Sequence, residues 1–152
     1  MRTETLADIM SWTRTLHHDL AQSLAQCAAS EQEERLRMLL DYLSHHEQEL
    51  ERVLTMSLAD AQQKALDTWC YDYFEQHGYP QLDVCQQHLS PLDGPAVLSQ
   101  VLAVHEKLIE LYRYLTERAE IPEVEALVAS LLSLEQHEAM RLARDAGRFE
   151  DL

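Results

Sequence analysis

Six side chains able to ligate a metal stand where the surrounding apolar pattern points inward: His17, His46, Glu47, His105, Glu135 and Glu138. They fall near the middle of separate helix-like stretches. A buried imidazole or carboxylate is costly unless it is paired or bound to a cation, so one such residue would mean little, whereas a set at one height implies a built site. Imidazole and carboxylate together suit iron, manganese or zinc, and anionic oxygens can bridge two divalent ions that would otherwise repel. Three histidines and three glutamates could hold one ion or two. The metal-free alternative is a network in which histidines and glutamates satisfy one another, with or without trapped water.

The helical wheel separates these residues from their neighbours. At about 100° per residue, His17 lies among Thr13, Leu16, Leu20 and Leu24, while His18 projects away. Leu43, His46, Glu47 and Leu50 form an i, i+3, i+4, i+7 set that leaves His45 on the solvent side. His105 shares a stripe with Val101, Leu108 and Tyr112, with Glu106 and Glu110 outside. Leu131, Glu135, Glu138 and Leu142 share a face, and His137 points the other way. Tyr112 could donate a hydrogen bond to the site or carry a radical, but an aromatic on a helical stripe is more often core and is read so.

The elements that must position these groups are all helical. The chain has 152 residues, of which 46% are hydrophobic and 26% charged, with only 3 Gly and 4 Pro, which fits one compact domain of long helices spanning 1–152. Runs of β-branched residues and short alternating segments are missing, so the expected class is all-α. A first helix is expected over 5–29. Ser30-Glu31-Gln32-Glu33 matches a capping box that starts a second, antiparallel helix reaching about residue 61. A crossover over about 62–94 carries a short aromatic helix, 65–77, with Trp69, Tyr71, Tyr73 and Phe74, which anchor it to the bundle. A crossover of that length makes the second and third long helices parallel. The third long helix carries Val97 to Leu115 and ends near residue 119, and the fourth starts at Pro122 and is expected to stop at Gly147. The result is two antiparallel hairpins, with a weak internal two-fold that would make each half contribute similar site positions.

Charge and cysteine content bound the partners. A formal net charge of −15 disfavours nucleic acid and anionic membrane surfaces. Cys27, Cys70 and Cys85 are widely spaced, without a Cys-x-x-Cys pair, and are expected as reduced thiols. With neither a secretory leader nor a run of about 20 apolar residues, the expected location is cytoplasmic. A homo-oligomer, a dimer first, is the expected assembly. No Gly-x-Ser-x-Gly elbow or phosphate-cradling glycine loop supports nucleophilic or phosphoryl chemistry.

Two antiparallel helix pairs, a long crossover and inward ligands at mid-bundle resemble the ferritin-like superfamily, especially its rubrerythrin-like and small bacterial branches. The resemblance covers nearly the whole chain. It implies a di-iron or di-manganese centre built from a glutamate on each of two helices and a Glu-x-x-His pair on each of the other two. Here the first- and third-helix glutamate positions are His17 and His105. The second-helix pair reads Leu43-x-x-His46 with Glu47 offset, and the fourth reads Glu135-x-x-Glu138. The altered pattern implies either a modified site for one or two transition-metal ions, used in redox or peroxide chemistry, or a decayed site in a bundle that serves as an interaction module. A hemerythrin-like alternative, suggested by His45-x-x-x-Glu49, fails because His45 faces outward and no His-x-x-x-His pair follows.

Overall fold

A computed structural model describes residues 5–70 and 93–150, the side chains at 146, 147, 149 and 150 excepted. Its helices are α1 (Leu6–Ser30), α2 (Glu34–Asp60), α3 (Gln63–Leu66), α4 (Gly94–Arg118) and α5 (Pro122–Glu150). The fold is an all-α bundle of four long helices in two hairpins, as the periodicity predicts.

Local chemistry fixes most helix starts. Thr5 and Asp8 form a reciprocal capping box on α1, the threonine hydroxyl accepting from the Asp8 amide and the aspartate from the Thr5 amide. Asp93 caps α4 by accepting from the Ala96 amide at 2.7 Å, with Pro95 in the first turn, where its missing N–H costs nothing. The α1–α2 turn departs from expectation. Ser30 ends α1, its hydroxyl donating to the carbonyls of Gln26 and Cys27, and Glu33 is the cap of α2, accepting from the amides of Arg35 and Leu36. A serine within reach of the preceding turn's carbonyls bonds backwards, which frees the glutamate side chain to take its place. Gly147 likewise does not end α5, which continues to Glu150. A single glycine weakens a helix by roughly 1 kcal/mol but does not break it.

Helix directions follow from contacts between the long helices. Ser44 donates to the carbonyl of Ala21 at 2.9 Å and His18 meets Glu51, so α1 and α2 run antiparallel. Tyr112 donates to Thr13 at 3.0 Å, while His105, about two turns farther back along α4, faces His17, so α1 and α4 also run antiparallel. Hence α2 and α4 are parallel, as a full-length crossover requires. Helix α3 ends at Leu66, so residues 67–70 of the aromatic helix expected over 65–77 are not helical, and the rest of it, with Tyr71, Tyr73 and Phe74, lies outside the described residues. Where the chain leaves α3, Leu6 donates its amide to the carbonyl of Thr68 at 2.8 Å and Trp69 pairs with Thr5, tying the crossover to the start of α1.

The core is a leucine-rich column in which Leu6, Ile9, Met10, Leu24, Leu40, Leu43, Val97, Val101 and Leu108 are fully buried. Each such side chain contributes on the order of 2 kcal/mol by leaving water. No described helix is long and apolar enough to cross a membrane. Cys27 is disulfide-bonded, the half-buried Cys70 donates its thiol to the Thr68 carbonyl at 3.6 Å, and Cys85 lies outside the described residues. This corrects the expectation of three reduced thiols. Wide spacing says little against pairing, because loop-closure entropy grows only slowly with length.

Candidate metal centre

In the middle of this column sit four fully buried ionisable side chains, one from each long helix: His17 (α1), Glu47 (α2), His105 (α4) and Glu135 (α5). They close into a ring. His17 places Nδ1 2.6 Å from Glu47 Oε2 and Nε2 2.7 Å from Glu135 Oε1. His105 places Nε2 2.6 Å from Glu47 Oε1 and Nδ1 3.0 Å from Glu135 Oε2. Each imidazole therefore faces both carboxylates, and each carboxylate faces both imidazoles. Each hairpin supplies one histidine from its first helix and one glutamate from its second, so the internal two-fold is visible at the site.

Electrostatics follow from this geometry. Burial alone would strip His17 of its proton, but Glu135 and Glu47 more than reverse that and raise its pKa to about 9. His105 is raised for the same reason, burial opposing and Glu47 foremost among the groups that overcome it. Burial would equally neutralise the glutamates. Instead the two imidazoles hold both Glu47 and Glu135 down at about 2. At neutral pH the ring thus comprises two imidazolium and two carboxylate groups, with no net charge.

One corner of the ring is imperfect. His105 Nδ1 and Glu135 Oε2 are close enough to attract but are not aligned as a hydrogen bond, and both are buried without another partner among the described residues. Such a mismatch in a buried polar group is unusual and marks a site shaped by something besides its own internal bonding. The donor set also fits a cation. One ligand atom from each of His17, Glu47 and His105 can gather within 4.8 Å of the others. Two imidazoles and a carboxylate suit iron, manganese or zinc.

His46 and Glu138 are placed elsewhere. They pair with each other at 3.0 Å, at 18% and 17% side-chain exposure, and neither hydrogen-bonds to the ring. His46 packs its ring 4.4 Å from that of Tyr42, and Arg141 approaches Glu138 at 3.6 Å. Both are half-buried: with Glu47 and Glu135 on the centre line of their helices, His46, one residue before the first, and Glu138, three after the second, are rotated towards the α2–α5 edge. His18, His45 and His137 are exposed, as the wheel predicts. Tyr112 was read as core and is fully buried, its hydroxyl donating to Thr13, which in turn donates to the Met10 carbonyl. Burial and the nearby Glu135 charge push its phenol well above the ordinary value. Thr13 is the buried polar residue that periodicity passed over as mere stripe, although a hydroxyl in an apolar run four residues before His17 was a signal.

Comparison with solved structures bears out the fold. A crystal structure from Thermotoga maritima, provisionally described as a ferritin-like diiron-carboxylate protein, superposes with a TM-score of 0.63 over 95% of each chain at 14% identity. No family model and no curated protein matches the sequence. The chain has the ferritin-like fold, and the ring occupies the middle of its four long helices.

Proposed function

We propose that this bundle binds a transition-metal ion, iron, manganese or zinc, at the buried His/Glu ring, and that the bound ion serves redox or peroxide chemistry. The observation that carries the reading is the convergence of His17, Glu47, His105 and Glu135 from four helices into one water-excluded cluster of metal-type donors. Burying four ionisable groups is a poor route to stability compared with packing leucine there. The diiron-carboxylate description of the Thermotoga maritima neighbour supports metal chemistry in a bundle of this fold. When bound, an iron or manganese ion would supply one-electron and oxygen chemistry. The protein's part is to hold the ion with two imidazoles and a carboxylate and to exclude water.

A second reading rests on a specific observation. The ring is neutral and closes with contacts of 2.6 and 2.7 Å, so it can stand as a metal-free network in a bundle that acts by association with other proteins or itself. Trp69, 66% exposed at the end of the bundle, would then be a candidate contact, and an unchanged assembly state in Trp69→Ala would count against it.

Metal content decides between the two. The chain is loaded anaerobically with ferrous, manganous and zinc ions, desalted and assayed by elemental analysis. Retained ion that is lost in His17→Ala supports the metal centre; none retained under any loading favours the metal-free network. A cytoplasmic location loses some of its ground with Cys27 in a disulfide, since such bonds persist chiefly in oxidising compartments.

A further inference from the structure

Resting on the metal-binding reading, we infer that the ring takes a single divalent ion, ligated by His17 Nδ1, His105 Nε2 and Glu47, with Glu135 outside the coordination sphere as a positioning residue. The two sides of the ring are not equivalent. Both Glu47 oxygens face an imidazole nitrogen at 2.6 Å, and Glu47 with the two histidines forms the group whose ligand atoms come within 4.8 Å of one another. Glu135 is not a member of that group. It faces the opposite nitrogen of each ring, His17 Nε2 at 2.7 Å and His105 Nδ1 at 3.0 Å.

An imidazole that gives one nitrogen to an ion keeps an N–H on the other, and that N–H needs an acceptor. Glu135 accepts from His17 Nε2 and stands 3.0 Å from His105 Nδ1, so it favours on both rings the tautomer in which His17 Nδ1 and His105 Nε2 are free to ligate. Two histidines and one carboxylate with open positions form the donor set of mononuclear non-haem ferrous sites.

Charge sets the number of ions. One divalent cation with Glu47 and Glu135 ionised and both histidines neutral leaves the buried site uncharged. A second would leave two positive charges in a pocket whose four ionisable side chains are at most 1% exposed. It would also need ligands, and the nearest sequence candidates, His46 and Glu138, are already paired with each other nearer the surface.

The test uses the full chain loaded anaerobically with ferrous ion, counted by native mass spectrometry, with X-ray absorption reporting imidazole neighbours and any metal–metal scattering. One ion, two imidazoles and no metal–metal vector are expected. Glu47→Gln should lose the ion, while Glu135→Gln should keep one ion bound about 10- to 100-fold more weakly, with Glu135→Asp recovering part of the loss. Two ions per chain, metal–metal scattering, or loss of the ion in Glu135→Gln but not Glu47→Gln would overturn the inference and leave the metal-binding reading intact. No ion in the unsubstituted protein would sink that reading itself. If a variant fails to fold, the absorption spectrum of the unsubstituted protein still decides.

Discussion

His105 Nδ1 and Glu135 Oε2 stand 3.0 Å apart in the buried centre of the bundle without lining up as a hydrogen bond. The other three contacts of the ring are short and aligned. Four helices, not two, fix the positions of these side chains, so no single rotamer change can perfect the fourth contact without disturbing another. A ring optimised for its own bonding would have no reason to leave two buried polar atoms misaligned, since each costs about 1–3 kcal/mol when unsatisfied. A ring that must also admit a cation has such a reason.

The metal-free protein should be most stable in mildly acidic solution. His17 is raised from 6.5 to about 9, so its contribution is whole below pH 6.5 and lost as pH climbs through 9; His105 acts in the same direction. Glu47 and Glu135 are lowered from 4.5 to about 2, so theirs is whole above pH 4.5 and lost as pH falls through 2. The His17 shift alone corresponds to on the order of 3 kcal/mol. Urea unfolding in the presence of a chelator, repeated from pH 3 to pH 10, should show a plateau between about 4.5 and 6.5 that falls away on both sides. A midpoint that is flat from pH 6 to 10 would mean the histidines are not held protonated.

Metal uptake should expel protons. The apo ring carries imidazolium at both His17 and His105, and an imidazole nitrogen must shed its proton to ligate. Binding one divalent ion through one nitrogen of each ring therefore releases about two protons, which leaves the buried charge unchanged. Calorimetric titration in buffers of different ionisation enthalpy measures this number directly. Near neutral pH the affinity should rise by up to about 100-fold per pH unit. Release of no protons would place the ion away from these histidines.

Much of this was legible in the sequence because helices write their inward face at a fixed period. His17, Glu47, His105 and Glu135 could be assigned inward from the leucines and valines three and four residues away, and the crossover length implied the parallel pairing of α2 and α4. Periodicity gives an angle on one helix but not the depth between helices. For that reason His46 and Glu138, only about 100° or 60° from the centre line, looked equivalent to the buried four yet lie at the α2–α5 edge. The closed connectivity of the ring depends on axial height and rotamer, which a wheel does not contain. The disulfide at Cys27 depends on tertiary placement alone.

The His46–Glu138 pair should prove dispensable for binding. Its partners are partly solvated, and exposed or half-exposed ion pairs are worth no more than about 1 kcal/mol. His46→Ala with Glu138→Ala should shift the unfolding free energy by about that amount and retain the same number of ions per chain as the parent. Loss of the ion in this double variant, with helicity intact by circular dichroism, would bring the edge pair into the site.

Replacing the ring shows what it is kept for. Removing one member, as in His105→Leu, strands two carboxylates against a single imidazole and should cost about 3–5 kcal/mol, because an uncompensated charge remains buried. Replacing all four, His17, Glu47, His105 and Glu135, by leucine or methionine removes the desolvation cost together with the pairing. That variant should fold about as stably as the parent or more so, by roughly 1–4 kcal/mol in chemical denaturation, while binding no metal. Stability regained with binding lost would mean the ring persists for its chemistry. A quadruple variant that cannot fold would instead make the ring a determinant of the bundle's own packing, and would shift the weight to the metal-free reading.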